Sequence, residues 1–318
     1  MSALRLARAA TGRGKIAKFE GGWHGGQDFL LHSYTQLGGT ADRPAAVADS
    51  AGVPPEVTGT VVTLPFNSDR AAEIIREHAE DLACVIVEPV LGGGGALPAE
   101  RRFLQAVGDA CRECGVVLIA DEVITGFRLA PGGAAGLLGV RPDLTVFGKI
   151  VGGGLPVGAV CGRGDLVDRV LAGDDGLSVV AGGTHAANPM TTAAGVAQLD
   201  VLLENPEIYS TLEARGDRLR SELSALVSRL GISAHVTGAG SLWGFHFTDA
   251  KPANVRDLHG SDKVAARMLA ALLLREGVFL SSPVHLAFLS SAHGESELDQ
   301  IVAAHATALE RMKTEGIV

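Results

Sequence analysis

The sequence predicts an α/β protein built around a mostly parallel sheet. Short apolar runs alternate with helical patterns over the first two-thirds of the chain, which is typical of strands joined by helices that cover a sheet. The runs are continuously apolar rather than alternating, so we expect both faces of the sheet to be buried. With 318 residues, 47% of them hydrophobic, the chain is long enough to bury a large core.

The first predicted element is a surface helix. Leu4, Ala7 and Ala10 follow helical spacing, and Gly12 provides a stop. The same opening, MSALRLARAATGRGK, contains arginines and no acids, as organelle-targeting peptides do. We favour the helix, because the apolar spacing accounts for the segment without a targeting role.

The elements of a large domain follow. The predicted elements are a strand at 83–87, a helix at 99–114, and strands at 116–120, 144–147 and 159–161. Before them, residues 33–57 are rich in Gly, Pro, Ala and Asp and show no periodicity. A loop of that length is either a functional lid or a plain surface excursion.

The last third of the chain predicts a smaller α/β unit. A long helical pattern at 188–230, broken near Pro206, leads into it. Its predicted elements are strands at 235–236, 242–248 and 278–280, a helix at 263–276 and a terminal helix at 296–313. We therefore expect a large domain, 1–195, and a small C-terminal domain, 196–318.

Charge and composition exclude several classes of protein. Lys and Arg number 27 against 36 Asp and Glu, and the resulting charge of -9 would repel nucleic acid. No apolar run reaches the length of a membrane span. Only four cysteines occur, which predicts a reducing, cytoplasmic setting. Cys111 and Cys114 form a Cys-x-x-Cys pair, but no second pair follows, so two helix residues are favoured over a redox or metal site.

Two charged residues follow neighbouring predicted strands. VVLIADEVITGFR places Asp121 at the end of one strand, and PDLTVFGKIVGGG places Lys149 at the end of the next. Because the carboxyl ends of parallel strands meet at one edge of a sheet, both side chains should face one crevice. Pyridoxal phosphate needs a lysine for its aldehyde and an acid beside its ring nitrogen. A helix-capping Asp and a solvated Lys would account for either residue taken alone.

The glycine runs suggest a competing hypothesis, a nucleotide-binding oxidoreductase. Residues 92–95 and 152–154 are glycine-rich, but neither run matches the G-x-G-x-x-G fingerprint between a strand and a helix. Lys149 is followed by Ile150, whereas a P-loop requires Ser or Thr there. The oxidoreductase is therefore the weaker alternative.

The motifs LIADEVITGFR and PDLTVFGKIVGGGLPVGA resemble the signature of class III aminotransferases. Within that class, RLARAATGRGKIAKFEGGWHGGQD, VIVEPV and VFLSS are most similar to the glutamate-1-semialdehyde 2,1-aminomutase branch. The resemblance covers nearly the whole chain. It implies the fold type I architecture, pyridoxal 5'-phosphate as cofactor, a homodimer, and transfer of amino groups on a small amino acid or amine.

The resemblance also implies roles for individual residues. Lys149 would form the Schiff base with the cofactor, and Asp121 would pair with its ring nitrogen. Trp23, where the family usually has Tyr, and Val123 would lie on opposite faces of the ring. Glu88 would lie on the substrate side, and Thr184 would reach the cofactor phosphate across the dimer interface. We assign no role to His24, because a lone histidine is more often a structural hydrogen-bonding residue than a catalyst, and the scattered histidines predict no metal site.

Several positions depart from the family pattern. The Ser-Gly-Thr-Glu-Ala segment that builds the family's phosphate cup, upstream of the first helix, is not in this sequence. The family's Gly-Thr-Leu-Ser-Gly-Asn-Pro reads GTHAANP from Gly183, His285 replaces a Glu, and the loop at 33–57 lacks much of the gating-loop pattern. An aminotransferase acting on another amino acid or amine, and a catalytically impaired truncated paralogue, therefore stay open as alternatives.

Overall fold

A computed structural model describes residues 1–171, 178–280 and 286–318. These residues form two compact units, Met1–Pro89 with Ala99–Asn205, and Val90–Pro98 with Pro206–Val318. Within the parts of the chain that the structure describes, none of the helices combines the length and apolar character that crossing a bilayer requires.

The elements are as follows. The strands are β1 (Lys15–Phe19), β2 (Gly38–Gly39), β3 (Pro44–Ala45), β4 (Val61–Leu64), β5 (Leu82–Val87), β6 (Val90–Leu91), β7 (Leu97–Pro98), β8 (Val117–Asp121), β9 (Leu144–Phe147), β10 (Ala159–Gly162), β11 (His235–Ala239), β12 (Leu242–His246) and β13 (Ala287–Phe288). The α-helices are α1 (Ser2–Thr11), α2 (Pro55–Thr58), α3 (Arg70–Glu77), α4 (Arg101–Cys114), α5 (Ala134–Leu137), α6 (Gly164–Val167), α7 (Pro189–Glu204), α8 (Glu207–Leu230), α9 (Lys263–Arg275) and α10 (Glu295–Thr314).

The first unit contains a six-stranded sheet in the order β10-β9-β8-β5-β1-β4. Every pairing is parallel except that of β10 with β9. Strands β5 and β8 are buried along their whole length because helices cover both faces. On one face Ile16 packs with apolar residues of α1, and on the other Phe19 contacts Phe66 and Phe103. The predicted mostly parallel α/β fold is confirmed.

The second unit contains the antiparallel sheet β11-β12-β13 and the helices α8, α9 and α10. Leu223 of α8, Leu273 of α9 and Leu309 of α10 are among the fully buried side chains of its core. The predicted break near Pro206 is confirmed, because α7 ends at Glu204 and α8 begins at Glu207. The predicted division into 1–195 and 196–318 stays a prediction; the second compact unit begins at Pro206 and also includes Val90–Pro98.

One predicted strand is wrong. Residues 278–280 have no strand conformation, and Phe279 is 75% exposed. The position beside β12 is occupied instead by Ala287–Phe288, which pairs with Leu242 and Trp243. The apolar run Val-Phe-Leu resembles a strand in composition, but it does not pair with β12, whose second edge is occupied by β13. Ser281 and Ser282 of the VFLSS motif, and His285, lie outside the described residues.

The segment at 33–57 is more ordered than its composition suggested. It contains the short hairpin of β2 and β3, and its last residues begin α2. Asp49 closes the segment by accepting hydrogen bonds from the backbone N–H groups of Tyr34, Thr35 and Gln36. Cys111 and Cys114 lie on α4, as predicted.

Candidate active site

The site lies in the first unit, at the carboxyl ends of its parallel strands. Strand β8 ends at Asp121, and β9 ends two residues before Lys149. Glu88 follows β5, and the turn after β1 carries Trp23 and His24. Because these strands run parallel and adjacent, residues far apart in sequence meet at one edge.

These side chains line one cavity of about 210 Å³. Its lining includes five of the six residues that the sequence proposed: Trp23, Glu88, Asp121, Val123 and Lys149. Thr184, the sixth, is exposed and lies outside this lining. His24 also lines the cavity, although the sequence reasoning gave it no role.

Asp121 is held by two donors. Its Oδ2 atom lies 2.7 Å from His24 Nδ1, and its Oδ1 accepts a hydrogen bond of 3.2 Å from the backbone N–H of Val123. The Asp121 side chain is only 8% exposed. Two fixed hydrogen bonds therefore orient a buried carboxylate toward the cavity.

His24 is a neutral, buried ring. Burial lowers the pKa of His24, and the hydrogen bond with Asp121 raises it only in part. A neutral imidazole has one N–H, and the carboxylate partner assigns that proton to Nδ1. His24 Nε2 is buried and has no hydrogen-bond partner among the described residues. Sequence reasoning missed this pair because its members are 97 positions apart.

Lys149 has a strained backbone and a perturbed amine. Its φ angle of 49° lies in the left-handed region, which is uncommon for a residue with a side chain. Burial lowers the pKa of Lys149, Asp121 and Glu88 raise it, and Arg128 lowers it again, with a net decrease. A lower pKa increases the fraction of uncharged amine, which is the nucleophilic form.

The backbone before and after Lys149 is closely packed. A Cβ atom on Gly148 would lie 3.1 Å from Val123 Cγ1, so the glycine lets Val123 pack beside the lysine. A Cβ on Gly195 of α7 would lie 2.5 Å from the Val151 carbonyl oxygen. Helix α7 therefore supports the short 3₁₀ helix Lys149–Gly152 from behind at backbone distance.

Trp23 and Glu88 are linked through the main chain. The Trp23 N–H donates to Glu88 Oε1 at 2.7 Å, and Glu88 is buried. Trp23 is 45% exposed, and its ring centroid lies 5.1 Å from that of Tyr34. An aromatic face thus borders the cavity, while the adjacent buried carboxylate fixes its backbone.

Glu122, beside Asp121, has a different task. It accepts hydrogen bonds from the Thr125 hydroxyl and from the backbone N–H groups of Ala134 and Ala135, at the start of α5. Burial raises the pKa of Glu122, and these donors oppose the increase. Glu122 therefore holds the turn that follows β8 in place.

This set of groups fits pyridoxal phosphate. The cavity combines a lysine amine with a lowered pKa, a carboxylate fixed by a neutral histidine, and an aromatic face. These groups match the aldehyde, the ring nitrogen and the planar ring of that cofactor, in that order.

Comparisons with known proteins agree with this site. Residues 1–287 match the family model of class III aminotransferases. The chain is 41% identical over 304 residues to the glutamate-1-semialdehyde 2,1-aminomutase of Methylacidiphilum infernorum (isolate V4), a match that covers 95% of this chain and 68% of that protein.

Two solved structures have the same fold. An omega-transaminase from Sphaerobacter thermophilus superposes with a TM-score of 0.90 at 36% identity, and the match covers 98% of this chain and 71% of that one. A transaminase with PLP bound superposes with a TM-score of 0.85 at 30% identity, covering 99% of this chain and 72% of that one. The fold type I architecture is confirmed, and the chain belongs to the class III aminotransferase family.

Proposed function

We propose that this protein transfers amino groups with pyridoxal 5'-phosphate as cofactor. One observation carries the proposal: Lys149 and Asp121 line the same cavity, and His24 and the Val123 N–H hold the Asp121 carboxylate. The family match and a PLP-bound structural relative support the same cofactor.

Pyridoxal phosphate supplies an aldehyde that bonds to amines and a ring that accepts the electron pair left when a substrate carbon loses its proton. Lys149 would hold the cofactor through its Nζ. The same Nζ, when uncharged, would accept and return a proton at the substrate carbon. The lowered pKa of Lys149 suits both tasks, because each requires an uncharged amine.

The residues around Lys149 would orient the cofactor and stabilise one another. Asp121 would keep the ring nitrogen protonated, and His24 holds the Asp121 carboxylate in a fixed orientation. Trp23 and Val123 would pack against the ring, and Glu88, which fixes the Trp23 backbone, would lie on the substrate side. These assignments follow the family motif residue by residue.

Two versions of the reaction are distinguished by the fate of the nitrogen. An aminomutase returns nitrogen to a neighbouring carbon of the same substrate, whereas an aminotransferase passes it to a second molecule. The 41% identical relative favours the aminomutase on glutamate 1-semialdehyde. The omega-transaminase relative, with a TM-score of 0.90, favours the alternative of transfer from another amine or amino acid.

Liquid chromatography coupled to mass spectrometry separates the two versions, because it resolves isomers of equal mass by retention time. The full chain is incubated with pyridoxal phosphate and either glutamate 1-semialdehyde alone or an amine with a 2-oxo acid. A mutase yields an isomer of unchanged mass without an acceptor, and a transaminase exchanges the amino and oxo groups of two molecules. The proposal fails if neither product forms in protein that binds the cofactor.

We also propose that the working protein is a homodimer in which Thr184 of one copy contacts the cofactor phosphate of the other. Helix α7 supports this, because Met190, Val196, Val201 and Leu203 are large apolar residues exposed on it. Sedimentation velocity of the full chain should show a dimer that Leu203→Glu dissociates. Leu274→Glu, at an exposed leucine of α9, is the matched control. A monomeric wild-type chain would contradict the proposal.

We further assign the protein to the cytoplasm. The four cysteines are free in the structure, which suits a reducing compartment. Fractionation of cells that express the tagged full chain tests this assignment, and recovery outside the cytoplasmic fraction would contradict it.

A further inference from the structure

A second lysine, Lys18, lies in the first unit near the proposed active site but does not line its cavity. It is in the middle of β1, where successive side chains point to opposite faces, so it shares a face with Ile16. The Lys18 side chain is 0% exposed. Lysine is almost never fully buried unless its ammonium has fixed partners.

The partners of Lys18 are backbone carbonyls. Its Nζ donates a hydrogen bond of 2.8 Å to the Gly22 carbonyl oxygen and another to the His32 carbonyl oxygen. Gly22 and His32 lie at the two ends of the loop that follows β1. One ammonium therefore joins both ends of this loop, which we define as residues 22–32 and which contains Trp23 and His24.

Other contacts support the same geometry. The Gly21 N–H donates to the Ser33 carbonyl oxygen at 2.8 Å, which brings the residues flanking the loop together. Glu88 accepts from the Trp23 N–H, and Asp121 pairs with His24, so two residues of the loop are tied to the active site. Lys18 adds hydrogen bonds to two carbonyls of the same loop.

Burying the Lys18 ammonium costs free energy, which indicates that its hydrogen bonds are important for the structure of the loop. Burial lowers the pKa of Lys18 to about 8, against the attraction of Asp49, Glu88 and Glu20. A methionine would fill similar space without that cost, but it would leave both carbonyls without a donor. The position therefore favours lysine for its donors rather than for its bulk.

We propose that Lys18 is a positioning residue that closes the 22–32 loop and thereby holds Trp23 and His24 at the cavity. Its action on the cofactor rests on the proposed function, because that function gives Trp23 and His24 their roles. Its action on the loop does not, and it can be measured without cofactor.

The test compares Lys18→Met with Lys15→Met. Lys15 is on the same strand, but it is partly exposed and pairs with Asp81, so its variant controls for loss of a lysine from β1. Hydrogen–deuterium exchange of cofactor-free full chain should show faster exchange at 21–33 in Lys18→Met alone. Exchange in β5 should stay at the wild-type rate, since β5 reports global rather than local opening.

Cofactor binding supplies a second readout. The dissociation constant for pyridoxal phosphate should rise at least about tenfold in Lys18→Met, equivalent to about 1.4 kcal/mol, and should not change in Lys15→Met. Lys18→Gln, which keeps two N–H donors on a shorter side chain, should restore part of the protection and part of the affinity. It also replaces Lys18→Met if that variant does not fold.

The outcomes are distinguishable. Equal exchange at 21–33 in wild type and in a folded Lys18 variant would overturn the proposal, as would an equal increase at 21–33 and in β5. If wild type binds no pyridoxal phosphate while exchange at 21–33 still rises selectively, the proposed function fails and the positioning of the loop stands.

Discussion

His305 should make the second unit sensitive to acid. The ring is fully buried, beside Trp243 and Phe245, and Nδ1 donates to the Ile301 carbonyl oxygen at 2.8 Å. Burial lowers the pKa of His305 from 6.5 to about 4, and the Ile301 carbonyl raises it only in part. The folded protein therefore keeps this histidine neutral where an unfolded chain would protonate it.

The direction and the size of the change in stability with pH follow from proton linkage. Below pH 6.5 the unfolded chain binds a proton that the folded protein does not bind until about pH 4, so stability falls as the pH falls through this interval. About 1.36 kcal/mol per pH unit over about 2.5 units gives a loss of about 3 kcal/mol at pH 4. Above pH 6.5 His305 makes no pH-dependent contribution.

The assay compares wild type with His305→Leu, which is similar in size and does not titrate. Urea unfolding at several values between pH 7 and pH 4 is followed by the fluorescence of Trp243, in a Trp23→Phe background that leaves a single tryptophan. Between pH 7 and pH 4, the wild type should lose about 3 kcal/mol more than the variant. His259→Leu, at an exposed histidine of the same unit, is the control. A stability difference that is the same at both pH values would refute the reasoning.

Three further predictions concern the first unit. His24→Leu removes a donor to Asp121 and should weaken pyridoxal phosphate binding about tenfold or more in equilibrium dialysis. His24→Asn, whose amide can replace the Nδ1–H donor, should retain most of the affinity. Equal losses of affinity in both variants would contradict the role of this hydrogen bond. Gly133→Ala should lower the free energy of unfolding, measured by urea titration, by more than about 1 kcal/mol, because φ is 82° and a Cβ would lie 2.3 Å from the Glu122 carboxyl group. The control Gly132→Ala has open space at its Cβ and should change the free energy of unfolding little. Exposed Cys161 should react first with a disulfide reagent. Buried Cys84 and Cys111, whose thiol pKa values are raised by burial, should react only when the protein unfolds. Peptide mapping locates the label, and early labelling of Cys84 or Cys111 would contradict their burial.

The sequence predicted the elements whose apolar pattern is unbroken. Strands β5 and β8 are buried along their whole length, and this burial between helices explains why apolar composition alone located them. Strand β1 was missed because Lys15 and Lys18 interrupt its apolar run. The burial of Lys18 depends on carbonyls supplied by the following loop, which no local pattern reveals.

The candidate site was predictable where topology brings strand ends together. Asp121 and Lys149 follow adjacent parallel strands, so their meeting could be anticipated from the order of the elements. The His24 pair could not, because a single histidine carries no pattern and its partner is distant in sequence. The assignment of Thr184 rested on family resemblance, and its role stays a prediction that requires a dimer.

The central claim is that Lys149 holds pyridoxal phosphate. The most direct measurement adds the cofactor to the purified full chain, reduces the mixture with borohydride and locates the adduct by mass spectrometry of peptides, with Lys149→Ala treated in parallel. We predict a single reduced adduct, on Lys149, in the wild type. In Lys149→Ala, no lysine should be labelled to the level that Lys149 reaches in the wild type. An adduct on other lysines alone, equal labelling of Lys149→Ala, or no adduct in wild type would contradict the account.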